Sequence, residues 1–250
     1  MEKFNIILPT SWAELTDKQL LMVFDLFCRD LSSAEVKTLC LMKWNRLRVL
    51  ATLPRHRFLI KRGKEQVVLS TRQIQQAYSV LDFLDSFAPM PVRISRIGKY
   101  HALPADFEKV PFEEFLFVEN LFQGYLNTQS DELLLQMAQV LYASDHVKPD
   151  KAQLIGIFYW MASLKQYFAA QFSNFYKPAS NSDDGNLLGN GQPDIYSQLR
   201  DSTNAMIRAL TGGDITKEAA IMKMDTWRAL TELDAKAREA EELRKATKKP

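Results

Sequence analysis

The chain has 250 residues, of which 46% are hydrophobic and 25% charged, with a formal net charge of +2. That composition supports a full-sized core and excludes a disordered or fibrous chain. Two cysteines, Cys28 and Cys40, form no disulfide framework, the longest apolar run (Ala152 to Leu164) is shorter than a bilayer span, and the opening MEKFNIILPTSW lacks a signal-peptide pattern; the expected location is cytoplasmic, with no membrane partner.

Helix starts are legible from the N-terminus onward. SWAE (Ser11 to Glu14), TDKQ (Thr16 to Gln19), SSAE (Ser32 to Glu35) and STRQ (Ser70 to Gln73) fit the capping box, in which the first and fourth residues satisfy each other's orphan backbone amides. Leu20, Phe24, Phe27 and Leu31 share one face of a first helix, and Val36, Leu39, Cys40, Leu47 and Leu50 one face of a second. Ile74, Ala77, Tyr78, Leu81 and Leu84 mark a third, stopped by the prolines of APMP. Between the second and third, HRFLIKRGKEQVVLS alternates Phe58 and Ile60 with Val67 and Leu69 around Gly63, which predicts a β-hairpin. VRISRI (Val92 to Ile97) and FNIIL (Phe4 to Leu8) are candidate strands beside it.

Three further helices follow. PFEEFLFVENLFQGYL has a broad apolar face, DELLLQMAQVLY is apolar nearly all round, and a long helix runs from Pro149 to about Tyr176 with Leu154, Ile157, Met161, Leu164, Phe168 and Phe175 as its stripe. The next stretch, NSDDGNLLGNGQPD, carries three glycines and three acidic residues. Aligned as an EF-hand on Gly185, its final ligand position is Gly191. It has no lysine for a P-loop, and Asp194 stands where a dinucleotide loop needs glycine. It reads as a linker. After it, DIYSQLRDSTNAMIRAL and the helix carrying Ala220, Met224 and Trp227 predict a helical hairpin, whose apolar stripe fades after Trp227. The expected organisation is therefore a helical core with a small antiparallel sheet (1–177), a linker (178–194) and a C-terminal helical hairpin with a charged terminal helix (195–250). The fold class is mainly α with a small antiparallel β-sheet, α+β.

Charge is segregated. Val36 to Lys64 holds nine Lys or Arg and no acid, whereas Pro104 to Val147 holds eight acids and one lysine. Arg46, Arg48, Arg55, Arg57, Lys61, Arg62 and Lys64 surround Trp44 and Phe58, a pattern able to track phosphates or meet an acidic protein. No helix-turn-helix or RNA-binding signature accompanies them. The three histidines lie far apart, and no nucleophile elbow or zinc helix appears. The residues point to no cofactor and no metal.

Three segments together resemble a known group: LPTSWAELTDKQL, LKQYFAAQFSNFYKP and IRALTGGDITKEAAIMKMDTWRALTELDAKAREAEE. They are similar to proteins encoded in the tail gene clusters of tailed phages and prophages, near the long tape-measure protein. The resemblance implies a non-enzymatic role in tail assembly, as a chaperone or minor structural protein, with tape-measure-like helical partners. The segregated charges predict a homo-oligomer formed head to tail, basic stretch against acidic helices. Nucleic-acid binding through the basic 37–64 stretch is the alternative. Met222, Met224 and Trp227 are the candidate partner-binding residues, because they offer adaptable contact surface beside a hydrophilic stem.

Overall fold

The computed structural model describes residues 6–177 and 195–247. In chain order it forms α1 (Asp17–Phe27), α2 (Ser33–Trp44), β1 (Arg48–Leu53), β2 (Arg57–Arg62), β3 (Glu65–Ser70), α3 (Thr71–Tyr78), β4 (Arg96–Ile97), β5 (Tyr100–His101), α4 (Phe112–Thr128), α5 (Asp131–Leu141), α6 (Lys151–Gln171), α7 (Ile195–Thr211), α8 (Glu218–Met222) and α9 (Thr226–Thr247). Short 3-10 helices cover Trp12–Glu14, Ser79–Asp85 and Ile215–Lys217. The fold is α+β, helical with a small antiparallel sheet. The linker expected over 178–194 lies outside the described residues.

Three of the four capping boxes close as the sequence predicts: Thr16 with Gln19, Ser32 with Glu35, and Ser70 with Gln73 each exchange both bonds. Ser11 does not cap, because Glu14 turns instead to the amide and hydroxyl of Thr10. The second helix stops at Trp44 rather than running to Leu50. Its end is a Schellman motif: the Leu47 amide donates to the Met42 carbonyl at 2.7 Å and the Arg46 amide to the Lys43 carbonyl at 3.1 Å. Arg46 takes the left-handed position (φ 54°) that glycine usually fills. The chain then leaves as β1, so the expected hairpin becomes a three-stranded sheet in the order β1-β2-β3. Phe58 faces Leu69 and Ile60 faces Val67, as the alternation predicts. Val92 to Ile97 does not join this sheet; Arg96 and Ile97 pair with β5 alone. Ile6 to Leu8 form no strand.

The chain divides into two compact units, Met1–Ser95 with Pro149–Ser163 and Arg96–Lys148 with Leu164–Pro250. In the first, Trp12, Phe24, Val23, Cys40, Leu81 and Ile94 form a buried cluster. The Trp12 indole donates to the carbonyls of Phe83 and Ser86 at 2.9 and 3.0 Å, which fixes the N-terminal segment on the 3-10 helix. Lys37, buried in α2, reaches Asp82 and Asp85 on that same 3-10 helix. Gly156 gives Phe24 its place: an added Cβ would stand 2.9 Å from the Phe24 ring. A second, smaller cluster of Leu41, Leu47 and Ile60 lies under the sheet.

In the second unit α4, α5, the 164–171 part of α6 and the helices after 195 share one core. Buried Phe112, Phe115, Leu134, Met137, Leu141 and Phe168 supply much of it. On α5 one face is buried (Leu134, Met137, Ala138, Leu141) rather than the whole circumference. The expected single helix through Ala220, Met224 and Trp227 is two, α8 and α9, because the Asp225 side chain accepts from the Arg228 amide and starts a new helix. The apolar stripe runs past Trp227 through Ala229, Leu230 and Leu233, all buried, and fades only after Leu233. So the helices after 195 belong to a compact unit with 96–148, where the sequence suggested a separate hairpin.

Gly156→Ala tests the packing of the first unit. A better helix former contributes about 1 kcal/mol, but the buried Phe24 ring must shift, which costs about 1–3 kcal/mol. We expect a net loss of stability in urea melts and a partial recovery when Phe24→Leu is added.

Candidate functional site

The basic residues come together on β1–β3 and the turns that join them. Phe58 and Ile60 point into the cluster under the sheet, so the pleat sends Arg57, Leu59 and Lys61 to the opposite face. Register places three rows on that outer face. Lys61 lies between Arg48 and Gln66, Leu59 between Ala51 and Val68, and Arg57 between Leu53 and Ser70. Arg48, Arg57 and Lys61 are exposed, and Val68 is 42% exposed. The face is thus an apolar row flanked by cations. Arg55 sits in the β1–β2 turn and Lys64 in the β2–β3 turn, at opposite ends.

Arg48 and Lys61 stand directly opposite one another. Like charges in that position repel, and neither has a carboxylate partner among the described residues. Arg62 is different, since its guanidinium meets Glu65 at 3.0 Å. Arg46, Arg55 and His56 have φ of 54°, 63° and 54°, a conformation that costs on the order of 1 kcal/mol for a residue with a side chain. The β1–β2 turn is held nonetheless: the Arg57 Nε–H donates to the Pro54 carbonyl, and the Thr71 amide and hydroxyl both donate to the His56 carbonyl. Strand β1 is an edge, with Val49 and Leu50 51% and 49% exposed at its bulge.

The aromatics of the basic stretch do not share this face. Phe58 is turned inward, and Trp44 packs on the first unit's core. Trp44 also walls a cleft of about 500 Å³ with Ile7, Asn45, Arg46 and Arg62, and its covered indole N–H has no acceptor among the described residues.

Met222, Met224 and Trp227 are half-buried in the second unit. The Trp227 ring lies 5.4–5.7 Å, centre to centre, from Phe172, Phe168 and Tyr167, and its N–H donates to the Asp106 carbonyl at 2.8 Å. The Met224 carbonyl accepts from the Phe112 amide at 2.8 Å. One side of the Trp227 ring is thus engaged by the protein's own chain. Sequence reading missed Asp234 as well. Its carboxylate accepts from the Asn174 and Phe175 amides and from the Asn174 side chain. Burial opposes its ionisation, but these hydrogen bonds prevail and hold the carboxyl below its usual range. A lone aspartate in a charged helix carries no sign of that role.

The acidic segment gathers around a different cleft, of about 730 Å³, whose walls include Glu114, Glu132, Asp145 and Phe117, with Lys109 the one cation among the described residues. Partial burial, with Glu113 adjacent, raises the Glu114 carboxyl above its usual range. Among the described residues no group of three or more His, Cys, Asp or Glu could hold a metal ion, and no helix is long and apolar enough to cross a membrane. No family model, curated protein or solved structure matches the chain.

Three outcomes follow from burial and hydrogen bonding. Trp227→Ala is expected to cost about 3 kcal/mol, the lower end for a large aromatic because the ring is half-buried, and Asp234→Ala about 1–3 kcal/mol from stranded amides; urea melts measure both, and an unchanged midpoint would return Trp227 to the list of free contact residues. Burial pushes the Cys40 thiol up to about 12, so at pH 8 it should resist alkylation until the protein unfolds. Mass spectrometry after timed iodoacetamide treatment reads this directly.

Proposed function

We propose that this protein is a non-enzymatic component of phage-type tail assembly that works through protein–protein contacts, and that the outer face of the β1–β3 sheet is its principal contact surface. The observation that carries this reading is the opposed, exposed Arg48–Lys61 pair. A like-charge pair with no carboxylate partner among the described residues works against the free sheet, and an incoming carboxylate relieves it. The flanking row of Ala51, Leu59 and Val68 supplies apolar contact, as protein interfaces require. The resemblance of the three quoted segments supplies the setting, and an elongated, tape-measure-like helical protein is the expected partner.

Nucleic acid is the second reading, favoured by the cations at both turns. Against it, among the described residues the three outer rows of the sheet hold no aromatic ring for bases to stack on. A duplex held by Arg48, Arg57 and Lys61 alone would show a log–log salt slope of about −2.7.

Co-expression with a tape-measure-like protein tests the first reading. Arg48→Glu with Lys61→Glu should leave thermal melting unchanged and abolish co-purification of that client; capture at wild-type stoichiometry removes the sheet as the contact surface. Tight oligonucleotide binding that disappears in Arg55→Glu, Arg57→Glu, Arg62→Glu would promote the second reading instead.

A further inference from the structure

We infer that copies of this chain associate head to tail, the basic sheet face of one copy docking on the acidic α4–α5 surface of the next. The inference rests on reading the sheet as a protein-contact face, but not on the tail assignment.

Complementarity carries it. Five carboxylates of the acidic segment, Glu113, Glu114, Asp131, Glu132 and Asp145, have no cation partner among the described residues. They come from the first turns of two helices and from the loop after α5. Glu114, Glu132 and Asp145 converge on one cleft, whose wall includes Phe117, 50% exposed. The sheet carries the opposite charge, likewise beside apolar side chains. There Arg48, Arg57 and Lys61 flank Leu59 and Val68. Each surface therefore offers what the other lacks: counter-ions for unpaired charge, and cover for exposed apolar side chains.

The occupant is a second copy because the same chain carries both halves of the match. Sheet against sheet would bring the Arg48, Arg57 and Lys61 cations of two copies together, and cleft against cleft would crowd carboxylates. Both isologous contacts are repulsive, so the contact is heterologous. A heterologous contact leaves one face of each kind open at the ends and grows into a ring or a filament. Rigidity helps: the β1–β2 turn is tied to the start of α3 through Thr71, so little order is lost when the face is covered.

Sedimentation velocity of the full chain tests this between about 0.1 M and about 1 M salt, over which the screening length falls from about 10 Å to about 3 Å. Larger species at low salt that dissociate to monomer at high salt are expected. Two neutralising variants locate the faces: Arg48→Gln with Lys61→Gln on the sheet, and Glu114→Gln with Glu132→Gln on the cleft. Each alone should remain monomeric at low salt. Mixed in equal amounts they should form a dimer and nothing larger, because one intact face of each kind remains. A salt-independent monomer, homodimers of either variant, or a mixture that stays monomeric overturns the inference. A wild-type monomer that binds duplex DNA tightly through the sheet does so too. Failure of self-association with client capture intact overturns this inference alone and leaves the proposed function standing.

Discussion

The second unit is closed by a short exchange between residues 106–112 and 224–227. The Thr226 amide and hydroxyl both donate to the Val110 carbonyl, at 2.9 and 2.7 Å, and the Phe112 amide returns a bond to Met224. Thr226 is fully buried, so these bonds form away from competing water and their loss would strand several polar groups at once. The exchange also sets the start of α9. Asp225 accepts from the Lys109 amide with one oxygen and from Arg228 with the other, which holds Lys109 in its left-handed conformation and caps the helix. From that fixed start the helix delivers Trp227 to the aromatic cluster and Asp234 to the end of α6. A helix that looks like a polar stem in sequence is thus secured at three points along its first half.

The first unit solves a different problem. Its sheet has only one face to bury, and the small cluster around Ile60 takes it. The other face must stay in water, and the chain has furnished it with cations. Such a face is soluble by itself, yet the opposed Arg48 and Lys61 gain nothing from each other. Local rules broken without an internal compensation are where function is expected. The acidic cleft of the other unit carries the opposite excess. A net charge of +2 conceals both, since it sums over surfaces that act separately.

Much of this was legible before any coordinates. Capping boxes at Thr16, Ser32 and Ser70 are local devices, in which four consecutive residues contain both donors and both acceptors. The β2–β3 register likewise follows from two-residue alternation around Gly63, because a slip would send Ile60 into water. The segregation of charge is a property of the linear order. The grouping of Arg48, Arg57 and Lys61 on one face needs only the pleat once the strands are known. By contrast, the third strand was hidden in the apparent continuation of α2. Leu47 and Leu50 fit the helical stripe, and nothing local announced that Arg46 would take a glycine's conformation.

What the sequence by itself determined is therefore what short-range chemistry decides: where helices begin, which strand residues face inward, and how charge is divided along the chain. Tertiary structure decided the roles of Trp227 and Asp234. Their partners lie 121 residues away at Asp106 and 60 residues away at Asn174, and no spacing rule reaches that far. It also decided that Trp44 packs on the first unit's core rather than on the cationic sheet face, and that Glu114, Glu132 and Asp145, from three different segments, share one cleft. The physical reason is the same in each case. Burial and hydrogen bonding are satisfied by whichever groups the folded chain brings within a few ångströms, and sequence order does not record that distance.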